Sequence, residues 1–266
     1  MARGFLFDSV AASGYGGWTN YINDRFDNIG NLDIQALGDG NHDIGAASGE
    51  LYRFTGLANY DAVDVVSGSG VVMDNDTANA GVCTMGLADN LDTFLSLVDS
   101  NEVYSISTAF TWTPAGGWPP TTANTYWRAP TIGSNSGNRV IFADAVGNTN
   151  TRWLWREGGV WYIYNEASKI SGGNPIQIQI VVYGNSVYYY YKAYTVGTDL
   201  AGPEDASLTK RAFSVLDQSD TPQLIGLDEM DYSTDSPWIL NVLMSLAQGE
   251  GATYTVHGFR VDKLVK

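Results

Sequence analysis

The chain predicts an all-β fold, a sandwich of antiparallel strands, and three observations predict it. Apolar and polar residues alternate with a period of two in one segment after another. Glycine, thirty of 266 residues, falls mostly at the joints between those segments. The joints recur at intervals of about ten residues, the rhythm of a β-sandwich or jelly roll.

Taken in order, residues 1–19 carry Gly and Ser without a strand pattern and predict a short N-terminal arm; residues 20–266 predict one domain. Trp18, Tyr21, Ile22, Phe26 and Ile29 recur at helical spacing ahead of Gly30, so this stretch suits a helix as well as a strand. Leu87, Leu91, Phe94, Leu95 and Val98 pose the same choice. From Glu102 to Trp112 the alternation is clear, with Tyr104, Ile106, Phe110 and Trp112 on one face and Ser105, Ser107 and Thr111 on the other. Asn138–Phe142 is a further strand. Thr151–Glu157 and Val160–Asn165 flank Gly158-Gly159 and read as a hairpin. Ile176–Val182 runs into Gly184-Asn185, a tight-turn pair, and returns through Ser186–Tyr194. Ile239–Leu246 and Thr253–Leu264 complete the set. Ser13–Gly17, Gly38–Gly49, Trp118–Asn124 and Gly197–Ser207 read as linkers, and none divides the chain into halves of different composition.

Composition excludes several functions. Twenty-nine Asp and Glu against fourteen Lys and Arg give a net charge of −15. A phosphate-backbone binder needs clustered cations, so no nucleic-acid partner is expected. Hydrophobic residues at 44% supply a core and argue against disorder. No apolar run reaches the roughly 18 residues of a membrane helix, and no membrane insertion is expected. Cys83 stands alone in an apolar run, reads as a buried small side chain, and allows no internal disulfide. Met1–Asp8 is too short and too sparsely apolar for a signal-peptide core, which predicts synthesis and folding in a host cytoplasm.

The order of these signals resembles a known family. Asp24-Arg25-Phe26-Asp27-Asn28 near the start is similar to the opening motif of concanavalin A-like, laminin-G-like jelly rolls. Tyr254-Thr255-Val256-His257-Gly258-Phe259-Arg260-Val261-Asp262 resembles the closing strand of that family. Between them, Glu102–Ser107, the Ile178–Asn185 hairpin, Leu216–Asp220 and Leu224–Leu227 fall in the family's order. The resemblance spans residues 20–264. It implies two curved antiparallel sheets packed face to face, with a concave face often used for sugars. The family includes glucanases, alginate lyases, lectins and modules on bacteriophage fibres and capsids.

Catalysis is not expected. A retaining glycosidase needs two carboxylates about 5 Å apart. The Glu-x-Asp-x-x-Glu string of the family's glucanases does not occur here. Asp228-Glu229-Met230-Asp231 and Glu204-Asp205 read as solvated surface. Tyr191-Lys192-Ala193-Tyr194 echoes one strand of the alginate lyases without its Gln-x-His and Arg-x-Glu partners. His42 and His257 lie near no nucleophile elbow. Asp39 with Asn41 and Asp43, and Asp74-Asn75-Asp76, place hard oxygens at alternate positions, which suits calcium; turn chemistry accounts for them equally. No other cofactor is expected. Among the aromatics, Trp153 and Trp155 read as core or interface. Trp118, Trp127, Tyr189 and Tyr191 are the candidate sugar contacts, since a flat exposed ring stacks on a pyranose.

Together these features predict a non-catalytic bacteriophage virion structural protein: a capsid decoration, a head fibre or a tail-associated receptor-binding component. Its expected partners are virion proteins, reached through the N-terminal arm, further copies of itself as a homo-oligomer, and a cell-surface glycan. The alternatives are a lectin-like carbohydrate-binding module and a divergent polysaccharide lyase or hydrolase.

Overall fold

The computed structural model describes residues 17–75, 82–87, 103–114, 126–134, 139–146, 151–157, 160–166, 173–183, 186–213, 215–216, 222–223, 238–245 and 252–265. Its strands are β1 (Gly17–Arg25), β2 (Leu32–Asp33), β3 (Gly40–His42), β4 (Tyr52–Thr55), β5 (Ala62–Val66), β6 (Gly70–Asn75), β7 (Val82–Leu87), β8 (Val103–Pro114), β9 (Tyr126–Ser134) and β10 (Arg139–Val146). They continue as β11 (Thr151–Glu157), β12 (Val160–Glu166), β13 (Ile176–Tyr183), β14 (Ser186–Ala193), β15 (Thr209–Phe213), β16 (Val215–Leu216), β17 (Pro222–Gln223), β18 (Trp238–Ser245) and β19 (Ala252–Val265). One α-helical turn, α1 (Ile34–Leu37), is capped by the Asp33 carboxylate, which accepts from the Ala36 N–H. No helix among the described residues is long and apolar enough to cross a membrane.

The strands form two antiparallel sheets. Sheet I runs β15-β14-β13-β8-β19-β6-β5-β2, with β1 also paired to β19. Sheet II runs β12-β11-β10-β9-β18-β7-β4-β3. Among the described strands, β16 and β17 pair only with each other. The expected hairpins are present: β13 pairs with β14 from Tyr183↔Ser186 outward, and β11 with β12 from Glu157↔Val160 outward.

β19 organises sheet I. β8 pairs with it along its length, while β6 takes the other edge from Ala252 to Val256 and β1 takes that edge from Gly258 to Val265. The exchange is made at a bulge, where Val256 faces Phe110, Gly258 faces Ala109, and His257 has no residue opposite it. An extra residue inverts the alternation. Tyr254 and Val256 enter the core before the bulge, and Phe259 and Val261 after it. Two glycines make room. A Cβ on Gly258 would lie 2.5 Å from Leu200 Cδ1 and 2.7 Å from the Asp24 carbonyl oxygen. A Cβ on Gly70, whose φ is +127°, would collide with the Val256 carbonyl oxygen.

Between the sheets lies the main core, which includes Phe26, Tyr52, Phe54, Phe110, Trp153, Tyr189 and Tyr254. Trp153 of sheet II meets Tyr189 of sheet I with ring centroids 5.5 Å apart. Phe110 and Tyr254, neighbours within sheet I, stack at 5.0 Å. Burial of each large apolar side chain is worth roughly 1.5–3 kcal/mol. Cys83 sits in this core, as its apolar neighbours predict, and burial pushes its thiol up to about 12.

Sheet I is covered on its outer face too. The segment from Tyr194 to Leu208, expected to be largely a linker, is a strap across β13, β14 and β19. Gln177 binds it with both ends of its amide: Nε2 donates to the Ala201 carbonyl and Oε1 accepts from the Ala201 N–H, each at 2.8 Å. Arg260 donates to the Leu200 carbonyl at 2.8 Å and grips Asp262. Ser105, Ser107, Gln177 and Gln179 are fully buried on the strapped face.

At the N-terminus the structure settles one open choice and moves one boundary. Residues 18–25 form a strand, not a helix, and a bulge at Tyr21 explains the misleading spacing. Ile22 and Phe26 face the main core, Trp18 packs on the strapped face with Val181 and Leu264, and Tyr21 is exposed. Sheet I begins at Gly17, so Gly17, Trp18 and Thr19 belong to the sandwich and not to the expected arm; residues 1–16 lie outside the described residues. Leu91–Val98, the other candidate helix, also lies outside them.

Gly70→Ala should lower stability by about 3 kcal/mol, through the collision and the unfavourable φ together. Urea denaturation reads this as a fall in midpoint. An unchanged midpoint would show that the β6–β19 approach is not as close as described.

Candidate functional site

The opening motif Asp24–Asn28 lies where β1 ends beside the β19 bulge. Asp24 is fully buried and accepts from the Ser48 N–H at 2.8 Å and from the Ser48 and Tyr52 hydroxyls at 2.6 Å each. Arg25 holds Asp27 by two hydrogen bonds, at 3.1 and 2.9 Å, with Asp199 of the strap 3.6 Å away. His257 Nδ1 lies 2.6 Å from the Ser69 carbonyl oxygen. A carbonyl only accepts, so Nδ1 carries the proton and the neutral ring's Nε2 accepts from the Thr111 hydroxyl at 2.7 Å. Tyr194 stacks on the imidazole at 5.8 Å and donates its hydroxyl to the Thr198 carbonyl. This constellation joins β1, the β5–β6 turn, β8 and the strap. Its polar atoms are spent on that closure.

The carboxylates considered for calcium are engaged in the same way. Asp39 accepts from the Gly56 and Leu57 N–H groups, Asp43 from the Gly45 N–H, and Asp74 from the Thr253 hydroxyl. Turn and strand closure therefore account for Asp39, Asp43 and Asp74, while Asp76 lies outside the described residues. Among the described residues, no group of three or more His, Cys, Asp or Glu converges.

Of the candidate sugar-contact aromatics, Tyr189 and Tyr191 have described side chains, and both lie against the core. Tyr189 is 1% exposed and packs on Trp153, so neither ring face is open to a pyranose. Tyr191 is half-buried against the same core. Trp127 occupies the register row Cys83–Met244–Trp127–Ala145–Thr151, whose first member is in the core. Trp118 lies outside the described residues. The alternation of Tyr188–Tyr191 places half on each face as expected. The half turned from the core, Tyr188 and Tyr190, packs with Leu208 of the strap. Lys192 pairs with Asp205 at 3.1 Å, which ties the alginate-lyase echo to the strap. The Asp205 carboxyl is held down to about 2, first by the Ser207 hydroxyl and then with help from Lys192.

The face left to consider is the outer face of sheet II. Cys83 and Met85 point into the core, so Thr84 between them lies on that outer face, hydrogen-bonded to Thr55 at 2.6 Å. The row through Thr84 continues to Leu243, Arg128, Asp144, Arg152 and Asn165 on successive strands. Adjacent rows of the same parity hold Arg53 beside Gly86 and Asn241, and Arg156 beside Trp161. Four arginines thus occupy register positions of one face in a chain with fourteen cationic side chains and a net charge of −15. Sequence inspection missed this row because no two of its members are adjacent in the chain; the only local sign is Arg152 and Arg156 flanking Trp153 and Trp155.

No family model matches the sequence, and no curated protein matches it. Solved structures do share its architecture. An endo-1,3-β-glucanase from Streptomyces sioyaensis superposes with a TM-score of 0.52 at 9% identity, over 94% of this chain and 98% of that one. A protein of unknown function from Shewanella oneidensis MR-1 gives 0.49 at 9% identity, over 97% and 94%. Lectin II from Ulex europaeus gives 0.45 at 8% identity, over 80% and 93%. At these identities the likeness is one of fold. The chain has the fold of a jelly-roll β-sandwich.

Burial lowers the His257 pKa from its ordinary 6.5, so the fold favours the neutral ring. The unfolded chain then takes up a proton that the native state resists. The contribution of His257 is complete above about pH 6.5 and is lost as pH falls from there toward the lower, folded-state pKa. Urea midpoints should drop between pH 7.5 and 5.5, and His257→Asn should remove part of that slope. Equal slopes in both proteins would contradict the assignment.

Proposed function

We propose that this chain is a non-catalytic, glycan-binding jelly roll of a bacteriophage particle, and that the outer face of sheet II reads acidic saccharides. The observation that carries the reading is the placement of Arg53, Arg128, Arg152 and Arg156 on register rows of that face, which also hold Asn165, Asn241 and Thr131 and, between Arg152 and Arg156, Leu154 with Phe142 and Ile163 on the neighbouring strands. Guanidinium groups bind carboxylates and sulfates through paired, charge-assisted hydrogen bonds, while amides and hydroxyls match sugar hydroxyls. The opposite sheet supports the choice of face, since the strap covers its outer side.

The non-catalytic part rests on seven described carboxylates. Asp24, Asp27, Asp39, Asp43, Asp74, Asp205 and Asp262 all hold backbone, hydroxyl or cationic partners of the fold. The virion part rests on the acidic balance, which suits a protein that faces outward from a packaged genome.

A glycan array of uronate-bearing, sulfated and neutral saccharides tests the reading. Binding should be confined to acidic glycans and weaken with salt. Arg128→Ser with Arg152→Ser should reduce it by at least about tenfold, since each lost charged hydrogen bond costs roughly 1.5–3 kcal/mol. No unsaturated or reducing ends should be released. Binding to no glycan, or cleavage of one, overturns the proposal; failure to attach to particles lacking the protein overturns its virion part.

A further inference from the structure

We propose that β12 is an interface strand, through which two copies of this chain pair about a twofold axis and join their sheets II into one. The argument begins with sheet edges, which natural proteins blunt because unpaired N–H and C=O groups recruit other strands. Four of the five edges of sheets I and II among the described strands are blunted; one of them, the free edge of β1, is broken by the bulge at Tyr21 and ends in Asp24 and Arg25. β2 has two residues, β3 has three and begins at Gly40 with φ +155°, and β15 carries Lys210 and Arg211. β12 is different: it runs seven residues, Val160-Trp161-Tyr162-Ile163-Tyr164-Asn165-Glu166, with one charge and no proline. Among the described strands only β11 hydrogen-bonds to it, and β16, which lies against β11 and β12, pairs instead with β17.

The sequence of β12 selects a second copy as the occupant. Tyr162-Ile163-Tyr164 reads the same in both directions. Antiparallel pairing centred on Ile163 is the register that uses all seven residues. It sets Ile163 against Ile163, Tyr162 against Tyr164, Trp161 against Asn165 and Val160 against Glu166. Aromatic and β-branched cross-strand pairs of this kind stabilise antiparallel sheets. The two Glu166 carboxylates fall at opposite ends of the pair, so two strongly acidic chains meet along an edge where no like charges oppose. The contact is isologous and closes at a dimer.

Sedimentation equilibrium of the full chain over graded concentrations tests this. Twice the chain mass is expected at micromolar concentration. Ile163→Lys, at an outer-face register position, places two cations directly opposite and should raise the dissociation constant at least tenfold. Arg211→Glu on the β15 edge should leave it unchanged. Should Ile163→Lys fail to fold, Ile163→Cys in a Cys83→Ser background should form a disulfide-linked dimer on mild oxidation. A monomeric wild-type chain, a dimer indifferent to Ile163→Lys, or no crosslink from Ile163→Cys overturns the proposal. Glycan binding measured on the same samples is a separate readout, so the failure of either reading leaves the other standing.

Discussion

The structure depends on one irregularity, the bulge at His257. A single strand, β19, must carry two neighbours on one edge, β6 and then β1, while pairing with β8 along the other on both sides of the bulge. Strands that meet end to end on one edge leave a gap in their hydrogen bonding. The bulge turns that gap to use: the His257 carbonyl accepts from the Phe26 N–H, and its ring spans from Ser69 to Thr111. The inverted alternation then decides which side chains enter the core, so Phe259 and Val261 are inward because His257 is an extra residue. Gly70 and Gly258 follow from the same constraint, since both stand where backbones approach too closely for a Cβ.

That closure also assigns work to the two sheets. The outer face of sheet I is lined with Ser and Gln, a poor surface to bury unless something satisfies it. The strap does so for Gln177 with the backbone of Ala201, is held by Arg260 at Leu200, and adds Leu200 and Leu208 as apolar anchors, while Gln179 donates to Ser107 within the sheet. Trp18 from β1 and Tyr190 from β14 complete the cover. Sheet I is thereby a middle layer with material on both sides. Polar side chains on sheet I therefore reflect architecture and are weak grounds for a binding site.

Much of the strand order was legible in the sequence. β8, β13, β14, β11, β12 and β19 are long, alternate clearly, or turn on glycine pairs, and each lies close to where the pattern places it. What escaped has identifiable causes. The bulge at Tyr21 moved Trp18 to the other face and mimicked helical spacing. The strap has the Gly, Pro and Asp content of a linker, and its anchors Gln177 and Arg260 lie 24 and 60 residues from the atoms they bind. Period two says that half of Tyr188–Tyr191 face each way, but both faces of β14 are covered, so exposure could not follow from it. The arginine rows were hidden for a further reason. Bulges in β9 reset its register against β10 and β18, and those shifts decide which residues align with Arg128.

Charge takes on a different meaning once the residues are placed. A net charge of −15 describes the chain as a whole and repels anions at long range. Within a Debye length of about 8 Å at physiological salt, an approaching group responds to the charges nearest it. On one row of sheet II the register sets Asp144 between Arg128 and Arg152, two cations to one anion, so the sign along that row opposes the global one. A saccharide read by this face would have to be held by close contact, not drawn in from a distance. Such an arrangement favours a repeating surface polymer, where one chain offers many acidic groups and rebinding offsets slow capture. It disfavours a lone small anion, for which long-range repulsion has no such compensation.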